Sequence, residues 1–147
     1  MTMKIPVRWL LIAAVIFSCT ISAAAQTSDE QAIRALMAKQ EQAWNNGNIN
    51  QFMEGYLKSD SLLFIGAKGP GYGWQNTLDN YKKRYPDTAT MGKLQFDLLQ
   101  LKPLGKKHYF VLGKWHLTRS IGDVGGFYTL LFTRVKGTWY IIVDHTS

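Results

Sequence analysis

Hydrophobic positions recur at helical spacing in the first half of the chain. After Ser28, which is suited to cap a helix, stripe residues stand three or four positions apart up to Asn45, and this spacing predicts one amphipathic helix. The residues of the stripe are Ile33, Leu36, Met37, Gln40 and Trp44. A second, short helix is predicted over Ile49–Leu57, and a third from Trp74 to a stop at Pro86.

The second half of the chain has long segments rich in apolar and aromatic residues, separated by short turns, which predicts β-strands. These segments are Leu94–Leu101, His108–Arg119, Gly125–Val135 and Trp139–Asp144. An earlier apolar run, Leu62–Ile65, predicts one more short strand, and the glycine-rich segment Gly66–Gly73 predicts a loop. Helices followed by such strands indicate an α+β fold, with two or three helices packed on one face of a curved antiparallel sheet.

The first 25 residues have the pattern of a secretory signal peptide. Two positive residues precede a nine-residue apolar run, Trp9–Phe17, which is too short to cross a bilayer that requires roughly 20 apolar residues. Small residues follow up to Ala25, where cleavage is predicted. We therefore expect residues 1–25 to be a signal peptide, residues 26–147 to be one domain, and the protein to be exported to the periplasm or the medium.

The cysteine count and the charge limit the class of protein. One cysteine among 147 residues excludes a disulfide framework and a cysteine-rich zinc module. This residue, Cys19, stands in the leader, so a lipoprotein attached through it is the alternative to cleavage at Ala25. The net charge of +7 suggests an anionic partner, but the basic clusters Lys82–Arg84 and Lys106–Lys107 are short and lie at a helix end and in a turn. We expect no nucleic-acid partner, and no membrane contact after signal cleavage.

Three segments resemble the nuclear transport factor 2-like superfamily. Ala43–Ile49, followed by Phe52 and Tyr56, resembles its helix–turn–helix opening, and Trp74–Tyr81 resembles its third helix. Gly137–Ser147, which ends in Asp-His-Thr-Ser, resembles its closing strand in the SnoaL-like branch, which includes secreted bacterial domains of unknown function. The resemblance implies a cone-shaped α+β barrel that encloses an apolar pocket. Members include isomerases, cyclases, dehydratases and binding domains, so the fold alone selects no activity.

One activity of that superfamily is disfavoured by the residues present. Ketosteroid isomerase uses an Asp base and an oxyanion hole made of a Tyr and a protonated Asp. The resemblance places the Asp base at Ile65 or Gly66, the Tyr near Gln40, and the second Asp near Thr129. None of these residues supplies the required group, so a steroid isomerase of that design is not expected.

Strand alternation suggests another set of pocket residues. It places His145 on the same face as Trp139 in the last strand, and Arg119 on the same face as Trp115 in the strand before the final hairpin. Our hypothesis for catalysis uses His145 as the general acid or base and Arg119 to hold a carboxylate or enolate oxygen. The alternative is that His145 only forms a hydrogen bond near the C-terminus. The residues expected to bind a ligand are Trp44, Tyr56, Phe64, Trp74, Tyr81 and Trp115.

Metal and cofactor sites are not predicted. The three histidines have no spacing typical of metal ligands. The glycines of Gly66–Gly73 lack the sequence of a phosphate-binding loop, so this segment is interpreted as a pocket rim.

Three functions are compatible with these patterns. The first is an exported domain that binds a small amphipathic molecule in an apolar pocket, and the second is a cofactor-free isomerase, cyclase or dehydratase acting on a carbonyl compound. The third is a homo-oligomerisation module, because both faces of Gly125–Phe132 carry apolar residues. A sheet that is apolar on both faces predicts a homodimer packed through the outer sheet face.

Overall fold

The part of the chain that the structure describes begins at the first predicted helix. The computed structural model describes residues 28–147. The predicted signal peptide, residues 1–25, and Cys19 lie outside these described residues. Residues 33–147 form one compact unit, and residues 28–32 fall outside it. Across the described range, the structure contains no helix with the length and apolarity needed to span a membrane.

The first two helices follow the predicted apolar stripes. Helix α1 spans residues 28–45. Helix α2, Ile49–Phe52, is shorter than predicted and tightens into a 3-10 turn, Met53–Gly55. The side chain of Gln40 explains the tightening, because its Nε2 donates a 3.0 Å hydrogen bond to the carbonyl oxygen of Phe52 at this point.

Two further helices connect the first strands to the long strands. Helix α3 is Trp74–Arg84 and ends just before Pro86, as predicted. A short helix that the pattern did not predict, α4, spans Thr88–Met91. The Asp87 carboxylate caps α4 by accepting a 2.8 Å hydrogen bond from the Thr90 backbone N–H.

Among the residues that the structure describes, six strands form one sheet, in the order β2-β1-β6-β5-β4-β3. The strands are β1 Leu63–Gly66, β2 Gly69–Tyr72, β3 Lys93–Pro103, β4 His108–Thr118, β5 Val124–Val135 and β6 Thr138–Thr146. The predicted α+β class with N-terminal helices on a curved sheet is confirmed.

Two details of the predicted sheet are wrong. The segment Gly66–Gly73 is not only a loop, because Gly69–Tyr72 pairs with β1 as an antiparallel hairpin. The sheet is also mixed rather than wholly antiparallel, since β1 runs parallel to β6. The pairing arises because the β1–β2 hairpin places β1 beside β6, the last strand of the chain. Local sequence patterns do not encode this contact.

A β-bulge in β6 changes which residues face the core. Leu131 lies opposite Val143, but its neighbour Phe132 lies opposite Ile141, so Ile142 is an extra residue in β6. An extra residue reverses the alternation of side chains beyond it. Asp144 is therefore buried and His145 exposed.

The turns and loops that connect the strands lie in two groups, one at each end of the sheet. The β3–β4 turn and the β5–β6 turn lie at one end, because strands β3 to β6 are consecutive antiparallel neighbours. The β4–β5 loop, residues 119–123, lies at the other end, beside the start of β3 at Lys93. Helix α4 leads directly into β3 and so lies at this second end.

Candidate functional site

An aromatic cluster packs where α1, α2 and α3 meet. Trp44 makes edge contacts with Phe52, Tyr81 and Tyr85, with ring centroids 5.2, 5.9 and 4.8 Å away. We call these rings, with Tyr56 and Phe64 beside them, the aromatic cluster. Edge-on aromatic contacts contribute beyond the burial of their area, so the cluster stabilises the packing of these helices.

A cavity of about 240 Å³ opens beside this cluster, and we call it the α4 cavity. It lies between the end of α1, helix α4 and the last residues of β4. The residues that matter for its chemistry are Trp44, Met91, Lys93, Thr118, Arg119 and Ser120. For comparison, an engineered cavity of roughly 150 Å³ binds benzene, and common ligand pockets begin at about 300 Å³. The α4 cavity therefore suits a molecule somewhat larger than benzene.

The apolar wall of the α4 cavity is held by a hydrogen bond between α1 and α4. Trp44 Nε1 donates to the carbonyl oxygen of Met91 at 3.1 Å. Both side chains are at most 4% exposed. The two residues therefore expose only a small apolar surface to the cavity, and this surface is fixed, which reduces the ordering cost of binding a ligand.

The rim of the α4 cavity is positively charged. It carries Lys93 and Arg119, and none of the lining residues, all within the described range, is Asp or Glu. Lys93 Nζ donates to the carbonyl oxygen of Asn45 at 2.7 Å, so its ammonium group is held at the end of α1. Two cations among lining residues that include no acid favour an anionic group at the rim, and the acid recorded nearest to them, Asp123, is bonded to the Arg119 backbone N–H.

The loop after β4 holds Arg119 in position. Arg119 Nε donates to the Gly122 carbonyl oxygen at 2.7 Å, and its backbone N–H donates to Asp123 Oδ1 at 2.9 Å. The Asp123 carboxylate also lies 3.2 Å from His116 Nε2. The backbone N–H of Arg119 is the largest cause of the lowered pKa of Asp123, followed by the side chain of His116. The N–H groups on the terminal guanidinium nitrogens remain to contact an anion.

A glycine allows Arg119 to approach α4. Gly92 ends the helix with φ +61° and ψ −152°, a conformation that side chains rarely adopt. A Cβ atom at this position would collide with Arg119 Cγ and with the Thr118 carbonyl oxygen. The side-chain stem of Arg119 therefore packs directly on the Gly92 backbone.

A buried carboxylate lies on the inner face of β6. Asp144 is 4% exposed. Its Oδ2 accepts a 2.7 Å hydrogen bond from the Tyr56 hydroxyl, and its Oδ1 accepts a 2.6 Å bond from Thr146 Oγ1. Burial raises the pKa of Asp144, and the two hydrogen bonds oppose this effect. Burial and the nearby carboxylate together raise the pKa of Tyr56 as well.

The predicted catalytic pair does not come together. We expected His145 on the inner face of β6, and this placement is wrong, because the bulge at Ile142 turns His145 outward and Asp144 inward. Arg119 follows β4 in a loop and reaches the rim of the α4 cavity, which His145 does not line. Simple alternation fails here because it assumes an uninterrupted strand.

The predicted ligand-binding residues divide into three groups. Of these residues, Trp44 alone contacts the α4 cavity, and Tyr56, Phe64 and Tyr81 belong to the aromatic cluster. Trp74 and Trp115 lie elsewhere. The Trp74 indole donates to the Met53 carbonyl oxygen at 3.0 Å, and the Trp115 indole donates to the Ser147 carbonyl oxygen at 3.3 Å. The functions assigned to these residues stay predictions.

One buried polar atom has no hydrogen-bond partner among the described residues. The hydroxyl of Tyr128, whose side chain is 3% exposed, is unpartnered, and burial raises its pKa. Its ring covers Gly113, where any Cβ would collide with it. No group of three His, Cys, Asp or Glu within the described range is arranged to hold a metal ion.

Three residues that shape these sites were not predicted from the sequence. Met91 and Lys93 lie on or next to the unpredicted helix α4, so no pattern marked them. Asp144 was assigned to the outer face by alternation. Its position directly after the apolar run Ile141–Val143 was the available signal, since an acid in such a run is either exposed or specifically bonded.

Solved structures with the same arrangement of helices and sheet differ in how much of their sequence is identical to this chain. No family model and no curated protein matches the chain. An NTF2-like protein of unknown function from Shewanella oneidensis MR-1 is 35% identical, with a TM-score of 0.78, over 81% of this chain and 98% of that chain.

Two more distant structures show the fold alone. A domain of unknown function with a cystatin-like fold from Nostoc punctiforme PCC 73102 is 17% identical, with a TM-score of 0.68, over 82% of this chain and 77% of its own. An NTF2-like protein of unknown function from Pseudomonas putida KT2440 is 18% identical, with a TM-score of 0.65, over 82% of this chain and 87% of its own. The 35% identity to the Shewanella protein, over nearly that protein's whole length, shows that this chain belongs to the NTF2-like superfamily.

Proposed function

We propose that the protein binds a small amphipathic anion, such as an aromatic or short aliphatic carboxylic acid, in the α4 cavity. The observation that carries this proposal is the pairing of a buried Trp44–Met91 wall with Lys93 and Arg119 on the rim of one cavity. The apolar part of the ligand would lie on the wall, and its carboxylate would face the two cations.

The size of the cavity supports a small ligand. At about 240 Å³ it has room for one ring with a short substituent, and not for a steroid-sized skeleton. The superfamily contains many binding and catalytic proteins, so the fold itself adds no preference for a ligand.

The geometry supports binding more than catalysis by the predicted pair. A general acid or base must lie within hydrogen-bond reach of the bound molecule, and His145 does not line the α4 cavity. Within this proposal, Arg119 has the binding role expected of it. The isomerase, cyclase or dehydratase alternative has no histidine or carboxylate among the lining residues.

The proposal also includes the finer expectations from the sequence. The leader pattern of residues 1–25 supports export, and the closing Asp-His-Thr-Ser sequence supports the SnoaL-like branch. An exported carrier or sensor of small acids would combine these properties.

Calorimetric titration with a panel of small carboxylic acids and their neutral amides tests the proposal. We expect a subset of the acids to bind and each matched amide to bind at least about tenfold more weakly, because a hydrogen bond to a charged group contributes about 1.5–3 kcal/mol. The substitution Arg119→Gln should weaken binding of the acids by a similar factor.

The matched control is Lys114→Gln, which removes one positive charge from an exposed position on the outer face of β4. It should leave the affinity unchanged. Equal affinity for acids and amides, or equal losses in the two variants, would show that the α4 cavity is not an anion site.

A further inference from the structure

Two hairpin turns that are far apart in the sequence lie side by side at one end of the sheet. The β3–β4 turn closes through a 2.9 Å hydrogen bond from the Leu104 backbone N–H to the His108 carbonyl oxygen. The backbone N–H of Arg134, just before the β5–β6 turn, donates to the Lys107 carbonyl oxygen, also at 2.9 Å. The fold thus joins two basic segments that the sequence separates by about thirty residues.

The joined turns carry exposed positive charge. Lys102, Lys106, Lys107 and Lys136 are all exposed, and neither 102–108 nor 133–138 contains Asp or Glu. The structure records no carboxylate contact for these four lysines within the described range. The same end of the sheet therefore presents a local excess of cations.

Apolar side chains stand among these cations. Leu104 is 45% exposed and Val135 is 38% exposed, and each lies in or beside one of the two turns. We call the set Lys102, Leu104, Lys106, Lys107, Val135 and Lys136 the basic turn surface.

The backbone at Lys136 adds an independent observation. Lys136 has φ +48° and Gly137 has φ +84°, so the two form the left-handed pair of a tight hairpin turn. Asn or Gly is strongly preferred at the first of these positions, and Lys is unfavourable there. A lysine in a strained position, next to other lysines, indicates a role other than shaping the turn.

We propose that the basic turn surface binds the surface of an anionic lipid bilayer. Lysines attract anionic headgroups, and Leu104 and Val135 enter the interfacial region between them. A nucleic acid would use the cations but would leave the two apolar side chains in contact with its charged backbone, so the combination favours a lipid surface. This contact differs from our expectation of no membrane partner, which rested on the linear spacing of the basic clusters, and it is independent of the α4 cavity.

Vesicle co-sedimentation of the full chain tests this proposal. Vesicles of phosphatidylcholine mixed with phosphatidylglycerol are compared with vesicles of phosphatidylcholine alone at low salt. We expect preferential binding to the anionic vesicles, and a loss of about 30-fold in the partition coefficient for the double substitution K106Q/K107Q. The matched control is K82Q/K83Q, an exposed lysine pair at the end of α3, which should change binding little.

The apolar N-terminal run is present in every variant, so differences between variants report the basic turn surface. Lys136→Asn should weaken binding to anionic vesicles about fivefold while raising the thermal stability, because Asn suits the turn better. The double substitution L104S/V135S should also weaken vesicle binding but leave any binding to double-stranded DNA unchanged.

Three results would overturn the proposal. The first is equal binding to neutral and anionic vesicles in all variants. The second is a loss of anionic-vesicle binding in K82Q/K83Q as large as that in K106Q/K107Q. The third is binding to DNA through the turn lysines without binding to anionic vesicles, which would assign the surface to nucleic acid.

Discussion

Asp144 shows how a single residue can be buried with its charge compensated first by hydrogen bonds and then by the neighbouring His145. The carboxylate accepts bonds from Tyr56 and Thr146, and the structure records no Lys or Arg contact for it among the described residues. A buried carboxylate without a cation depends on its donors, because an unpaired charge in the interior is strongly destabilising. The stability of the fold should therefore depend on this carboxylate and on its hydrogen-bond donors.

Tyr56→Phe removes one of the two donors while keeping the ring in the aromatic cluster. We expect it to lower the free energy of unfolding by about 1.5–3 kcal/mol, the range for a hydrogen bond to a charged group. Chemical denaturation measures this change. The control is Tyr140→Phe, which removes a hydroxyl from the outer face of β6, and equal effects of the two substitutions would contradict the account.

Asp144→Asn should change how stability depends on pH. Burial raises the folded-state pKa of Asp144 above its ordinary value of 3.8, so the folded state holds the proton more tightly than the unfolded state. The stability that this group contributes is fully present below the ordinary pKa and is lost as pH rises through the raised pKa. The wild type should therefore become less stable relative to Asp144→Asn as the pH rises through the folded-state pKa of Asp144.

Denaturation curves recorded at a series of pH values check this prediction. The exposed carboxylate Asp60 provides the control, because Asp60→Asn should not reproduce the difference. Parallel stability profiles for the wild type and Asp144→Asn would contradict the prediction.

At the scale of elements, α4 and the β4–β5 loop together form the proposed binding site. Gly92 is the contact between them, since its backbone supports the side-chain stem of Arg119. A substitution here affects both the backbone conformation and the position of the cation. The α4 cavity is therefore more sensitive to Gly92 than to its other small residues.

Gly92→Ala should lower the free energy of unfolding by about 3 kcal/mol or more, because backbone strain and a steric collision add. Gly105→Ala is the matched control, since Gly105 also has a positive φ but open space around it. The control should cost only about 1–2 kcal/mol. Equal losses would show that Arg119 and Thr118 move away from an added methyl group without cost.

The elements were predictable where periodicity was long and uninterrupted. The stripe of α1 and the four long strands follow directly from the spacing of their apolar residues. Helix α4 was not predictable because four residues give no period, and its start depends on a capping contact from Asp87. The inner face of β6 was mispredicted because the bulge at Ile142 arises from pairing with β5, and no residue of β6 marks it.

The candidate site was predictable only in part, because it depends on contacts between elements that are distant in the sequence. Arg119 and Trp44 were singled out separately, by strand alternation and by helical spacing. Their meeting at one cavity depends on the β4–β5 loop lying beside the end of α1, which is a property of the sheet order. The contact between the β3–β4 and β5–β6 turns, which forms the basic turn surface, is also a property of the sheet order.

At the scale of the whole molecule, the outer face of the sheet carries apolar side chains. They are the exposed Phe127 and the half-buried Phe110, Leu112, Leu131, Tyr140 and Ile142. We propose that a second copy of the chain covers this face, as the two apolar faces of β5 suggested. Such a homodimer would leave the α4 cavity of each copy at the end of its sheet.

Phe127→Glu should convert the dimer to a monomer, because it places a charge within an apolar contact. Gel filtration over a range of concentrations measures the apparent mass. Ile121→Glu is the control, since Ile121 is 59% exposed but lies in the β4–β5 loop. A wild-type protein that elutes as a monomer at high concentration would contradict the proposed dimer.

The indole N–H signals of the five tryptophans can report directly whether the α4 cavity binds a small amphipathic anion. Nitrogen-15 NMR resolves these signals, and Trp44→Phe identifies the one from the cavity wall. We predict that a carboxylic acid that binds will shift the Trp44 signal in a saturable way, with the Trp139 signal unchanged and the shift lost in Arg119→Gln. Binding that leaves the Trp44 signal in place, or a Trp44 shift that persists undiminished in Arg119→Gln, would contradict the account.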